Sequence, residues 1–207
     1  SAENAGFWLT PLALASGIGA GLGGFLTDRI GATRTIIVSG IIGLIGFLMF
    51  FSFVDDLKTF VIASVLAGIG LGFLLGAPLN VLVGESVEKN QYGTSIGTLS
   101  LTRQVGLTLF PTIFAGFVTS GVINIEPTFK EIFGETVISF QNIADGEGYG
   151  QIMSEIGKIQ DPYLQEQLQS IVASVMKAGF QDMFFAAVII SAIVIIISTY
   201  LQMAKNN

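Results

Sequence analysis

Asp28, Arg29 and Arg34 lie close together between Gly24 and Gly31's far side, in the run Gly24-Phe-Leu-Thr-Asp-Arg-Ile-Gly-Ala-Thr-Arg34. Opposite charges at this spacing can make and break ion pairs, and the two glycines remove side chains where the chain must reverse tightly. A carboxylate at Asp28, beside the start of a following helix, is favoured by exposed N–H groups and the helix dipole, and it can pair with Arg29 or Arg34. The chemistry on offer is reversible pairing rather than bond making. A short basic turn also serves membrane topology alone, but topology has no use for Asp28.

A second group is Arg103-Gln104-Val105-Gly106, inside an apolar stretch that starts near residue 95. A buried arginine is costly and almost always faces a partner or a watery cavity. Arg103 with Gln104 either faces a watery cavity or an acid outside this stretch, or Arg103 snorkels to the interface or caps carbonyls freed by a kink at Pro111. Asn80 offers an amide for bonding across helices, and Trp8 suits either an interfacial aromatic belt or a cation–π contact. No cysteine and no histidine occur in the chain. Thiolate nucleophiles, imidazole bases, disulfides and the usual zinc ligands are therefore absent, so neither a metal nor a cofactor nor an enzyme is expected. No basic tract with interleaved aromatics is present, which excludes a nucleic-acid partner.

The elements that hold these residues are membrane spans. Apolar residues make up 51% of the chain, charged ones 12%, and mean hydropathy is +0.74, against roughly 25% charge in soluble domains. Five segments reach the length of about 20 apolar residues that a bilayer requires: 7–27, 35–54, 59–83, about 95–123, and 181–203. The first four are rich in Gly, Ala, Ser and Thr, which let helix backbones approach closely in lipid. Gly68, Gly72, Gly76 and Pro78 in the third predict close packing with a bend near Pro78. The fifth is β-branched and nearly free of glycine, as a lipid-facing span would be. Pro11 and Pro111 are further points where a helix can kink.

Arg29, Arg34, Lys89 and Lys205 fall on one face of an alternating path, so that face is cytoplasmic. The polar segment 124–179 is then extracellular. Within it, Asp161-Pro162 provides an N-cap followed by proline at the first helical position. Leu164, Leu168, Ile171, Val172, Val175 and Met176 share one face at helical spacing, predicting an amphipathic helix over about 162–178. It reads either as a connector packed on the helix ends or as a lid. The expected organisation is 1–123 for four spans, 124–179 for the outer loop, and 180–207 for the last span and tail. The start Ser-Ala-Glu-Asn, without Met or a cleavable leader, reads as a cut inside a longer protein.

Three patterns together carry a family resemblance: Ser1-Ala2-x-x-Ala5-Gly6-Phe-Trp-Leu-Thr-Pro11, the charged Gly-x-Leu-x-Asp-Arg-x-Gly turn, and Arg103-Gln-Val-Gly106 preceded by Gly93-Thr-Ser95. In this order they resemble the major facilitator superfamily, in its branch of fourteen-helix drug:proton antiporters. The resemblance implies an all-α integral membrane fold, with the five spans standing for helices ten to fourteen and forming most of the C-terminal domain. It also implies a multi-pass protein of the bacterial cytoplasmic membrane. Its partners would be the lipid bilayer, a missing N-terminal half, a small-molecule substrate and protons. The charged turn of such transporters latches the two halves together on the cytoplasmic side. Here it is a reduced copy, with Ala32-Thr33 where the family often has basic residues, and Phe110-Pro111 replaces a glycine the family commonly places beyond Gly106.

Proton coupling needs a group that exchanges a proton near substrate, yet no Asp or Glu lies deep in any span. Asp182, at the outer mouth of the fifth, is the local candidate, and otherwise the carrier belongs to the absent half. Export of drugs or other small amphiphiles by alternating access is the expected function. An exporter of lipids, siderophores or peptides shares the same motifs. A membrane scaffold with a partner-binding outer loop is the rival from another class, and Asp28 argues against it.

Overall fold

The computed structural model describes residues 2–52, 56–123, 150, 153–154 and 156–206; the side chains of 2–8, 114–115, 117–123 and 206 are outside the description. The acidic run at 126–147 lies outside it as well. Helices make up the regular structure of the described residues: α1 (Ala2–Ile30), α2 (Ala32–Ser52), α3 (Leu57–Leu75), α4 (Ala77–Ser86), α5 (Tyr92–Ile123) and α6 (Pro162–Asn206). Lipid offers backbone amides no partners, so apolar stretches of this length must satisfy their hydrogen bonds internally as helices. Four stretches are long and apolar enough to cross a membrane: Leu9–Ile30, Ala32–Ser52, Leu57–Ser86 and Pro162–Lys205. The protein is thus a multi-pass membrane protein. The span expected at 95–123 lies within the single helix α5, whose apolarity is diluted by Thr94, Ser95, Thr98, Ser100, Thr102, Arg103 and Gln104.

The chain divides into two compact units, one comprising residues 1–105 and 184–207, the other 106–183. In the first, α3 is the central element and packs against both α1 and α2. Small residues make this possible. A Cβ added to Gly19 would stand 2.8 Å from the Ile69 carbonyl oxygen, and one on Gly76 would stand 2.9 Å from that of Ala20. Gly68 and Gly72 leave still less room, against the carbonyls of Leu12 and Ser16. On the opposite side of α3, Ala67 and Gly70 meet Gly46 and Gly43 of α2 at backbone distance. There the Ser39 hydroxyl also donates to the Gly70 carbonyl at 2.8 Å. Such close approach drives helix association in lipid through dispersion and hydrogen bonding, because lipid tails are as apolar as leucine.

Helix ends are set by local chemistry. Asp56 caps α3, its carboxylate accepting from the Thr59 amide at 2.8 Å. Hydrogen bonds from the Thr59 side chain first, and its backbone second, hold the Asp56 carboxyl below its ordinary value. The third span is interrupted at Gly76, whose ψ of -136° ends α3, and Pro78 lies in the first turn of α4. Pro11 and Pro111, by contrast, sit inside α1 and α5 without ending them. The last part of α6 returns to α2, with Phe184 stacked on Phe50 at 4.5 Å and Phe185 beside Phe51 at 5.5 Å.

The second unit has its own small core. Ile156, Leu168 and Val172 are fully buried, with Leu164, Ile171, Val175 and Met176 packed around them. These α6 residues are the face the spacing predicts. Asp161 caps their helix, accepting from the amides of Tyr163 at 3.0 Å and Leu164 at 3.5 Å. The amphipathic segment continues into the fifth span within one helix.

Candidate functional site

The charged turn is tighter than its sequence suggests. The link between α1 and α2 is Gly31 alone, held at φ +88°, a left-handed conformation that side chains disfavour. Two threonines flank it at four-residue spacing, each bonding back to the carbonyl one turn earlier. Thr27 Oγ1 donates to the Gly23 carbonyl at 2.7 Å, and Thr35 Oγ1 to the Gly31 carbonyl at 2.9 Å. The Gly31 amide closes the last turn of α1 onto the Thr27 carbonyl at 2.9 Å. Thr27 and Thr35 are buried. Their pairing around Gly31 escaped the sequence reading, although the Thr-x-x-x-Gly-x-x-x-Thr spacing carries the signal.

This geometry corrects the expected pairing. Asp28 sits in the last turn of α1, not at the start of α2, and Arg34 sits in the first turn of α2. Asp28, Arg29 and Arg34 are all exposed. Among the described residues no ion pair joins Asp28 to either arginine; Arg29 lies over the Phe25 ring at 4.3 Å. The reason is physical: an exposed pair is worth about 0 to 1 kcal/mol. That is too little to pull side chains out of their helical directions across a one-residue turn. The site therefore presents Asp28 and Arg34 outward, on a one-residue turn, with no ion pair between them. Gly24 lies one turn before Asp28, where a Cβ would make only ordinary contact with Ala77 of α4 at 3.8 Å.

On the same end of this unit, Lys205 Nζ of α6 pairs with Glu85 Oε2 of α4 at 2.9 Å. The two are 120 residues apart, and nothing in the local sequence marks them as partners.

The other candidate residues are dispersed. Arg103 lies in α5, partly buried, with Nε and Nη2 buried and without a hydrogen-bond partner. Gln104, next to it, is exposed. Gly106 is two residues further on in the same helix, where a Cβ would touch the Phe110 ring at 3.4 Å. Asn80 is half-buried in α4, and Trp8 lies in α1 with its side chain outside the description. Asp182 is an exposed residue of α6. Gly68, Gly72 and Gly76 form the α3 face against α1, and Pro78 is buried beside the break. Among the described residues, no group of three or more acidic residues is placed to hold a metal ion.

Comparison with known proteins sets this geometry in context. The family model described as Major Facilitator Superfamily matches residues 1–130. The chain is 49% identical over 187 residues to the uncharacterized MFS-type transporter YfiU of Bacillus subtilis (strain 168), covering 90% of this chain and 35% of that protein. It is 29% identical over 183 residues to multidrug resistance protein 3 of the same organism, covering 84% of this chain and 35% of the relative. The chain thus spans about a third of the length of these relatives. No solved structure matches it.

Proposed function

The chain belongs to the major facilitator superfamily, and on that footing we propose that it forms about helices ten to fourteen of a fourteen-helix secondary transporter that exports drugs or other small amphiphiles in exchange for protons. Transporters of this kind rock two repeat-related halves around a midplane site. This chain supplies one half of the cytoplasmic gate: Gly24, Asp28, Arg29, Gly31 and Arg34. The observation that carries the reading is the one-residue Gly31 turn, which leaves Asp28 and Arg34 exposed and without an ion pair to each other. A turn built for topology alone would not need the acid.

The drug-export reading draws support from the relative named multidrug resistance protein 3. Arg103, Gln104, Asn80 and Trp8 are assigned to the transport path. The proton carrier belongs to the N-terminal half, or to Asp182 at the outer mouth. The connector role suits the outer segment, because its apolar face is spent on its own core around Leu168 and Val172.

The test is Asp28→Asn in the full-length protein, with ethidium efflux from cells as the readout. A charge pair worth about 1 kcal/mol shifts a two-state gate about fivefold. Efflux should fall by about that factor while expression and insertion are unchanged. Equal efflux would remove the gate role, and a wild-type protein that moves no lipophilic cation would remove the drug-export reading.

A further inference from the structure

Arg103 carries a charged edge that nothing in the described chain neutralises. Its Nε and Nη2 are both buried, and neither has a hydrogen-bond partner. A snorkelling arginine would hold these nitrogens in solvent, and a carbonyl-capping one would have them bonded. The residue stands 11 positions into α5 from Tyr92, about 16 Å by helical rise. Proteins rarely leave a buried ion uncompensated, because its desolvation is recovered only through a well-placed partner.

The shape of the unsatisfied group specifies that partner. Nε and Nη2 share one edge of the planar guanidinium, and their N–H bonds run side by side, matching the two oxygens of a single carboxylate. Among the described residues none supplies it: α2, α3 and α5 contain no Asp or Glu, the acids of α1 and α4 lie in their first or last turns, and Glu166 and Asp182 of α6 leave Nε and Nη2 unbonded. We propose that the Nε–Nη2 edge of Arg103 binds one carboxylate brought from outside the described chain. It comes either from an acid in the remainder of the full-length protein or from a transported molecule. The inference rests on reading the chain as part of a transporter, and it narrows the path residue to a ligand chemistry.

The experiment uses the full-length protein in lipid nanodiscs, comparing wild type with Arg103→Gln and Arg103→Lys by thermal melting, with and without sodium benzoate as the carboxylate probe. If the carboxylate arrives with the ligand, benzoate raises the wild-type melting temperature, and its affinity falls about tenfold or more in both variants. If the carboxylate is the protein's own, benzoate has no effect and Arg103→Gln lowers the melting temperature. Neutralising one intramembrane acid of the remaining chain then restores it, and Arg103→Lys keeps the charge but not the fork, so it recovers only part. Either pattern supports the proposal. Melting unchanged in both variants, with no benzoate shift, overturns it, as does loss of melting temperature that no acid-to-amide change restores. Efflux measured on the same variants keeps the two readings apart, since a transporter that still pumps with unaltered melting refutes the carboxylate site alone.

Discussion

Glycine-to-alanine substitutions along α1 and α3 should separate into two classes. Gly17 and Gly21 face open space, with no atom within 4 Å of an added Cβ, whereas Gly19 and Gly23 would each place one 2.8 Å from the backbone of α3. For Gly19 the neighbour is a carbonyl oxygen, so relieving the contact to an ordinary 3.4 Å or so moves the helices apart by about 0.6 Å. A gap of that size forfeits about a quarter to a half of each dispersion contact it opens. Overpacking typically costs about 1–3 kcal/mol, offset by the roughly 1 kcal/mol by which alanine favours a helix over glycine. Gly19→Ala is therefore expected to destabilise by up to about 2 kcal/mol. Gly72→Ala should cost more, because its Cβ overlaps the Ser16 carbonyl outright. Gly17→Ala and Gly21→Ala, which meet nothing within this chain, should cost less than Gly72→Ala. Equilibrium unfolding of the full-length protein in mixed detergent, with each variant at equal insertion, gives the four values. Equal losses at Gly17 and Gly72, or a neutral Gly72→Ala, would refute the claim that α3 is held by backbone contact.

Two further outcomes follow from the helix ends. Gly31→Ala forces a side chain into the left-handed region and should destabilise by about 1–2 kcal/mol in the same unfolding assay, with Gly31→Asn milder because asparagine tolerates that conformation. Asp56 has its folded-state carboxyl lowered by Thr59, so its cap contributes above the unfolded carboxylate range near 3.8 and is lost as pH falls through the lower folded value. Melting of Asp56→Asn should lack that acid-side component while matching wild type in shape near neutrality; identical acid-side profiles would show that the cap does not titrate as described.

Hydropathy made the spans legible because a bilayer demands length and apolarity, and Pro78 beside a glycine run announced the interruption at Gly76. The face from Leu164 to Met176 was equally readable, since one helical period and an Asp-Pro cap specify it without outside help. The turn was read too loosely: charges and glycines mark 24–34 as a reversal, but one left-handed residue suffices. Spacing allows Asp28 to pair with Arg29 or Arg34, but exposed charges gain too little from each other in water for spacing alone to fix such a pair. Contacts between distant residues stayed hidden, as with Lys205 and Glu85, and so did the state of Arg103, whose type was plain but whose unpaired, buried edge depends on tertiary structure.

The central placement of α3 also bears on how the protein is assembled in the membrane. Helices α1 and α2 leave the translocation machinery as a hairpin fixed by one residue, yet they touch each other far less than either touches α3. Until α3 emerges, the faces bearing Gly19, Gly43 and Gly46 have lipid for company. The three helices thus become a stable unit together, because the small-residue faces of α1 and α2 are paired only once α3 is in place.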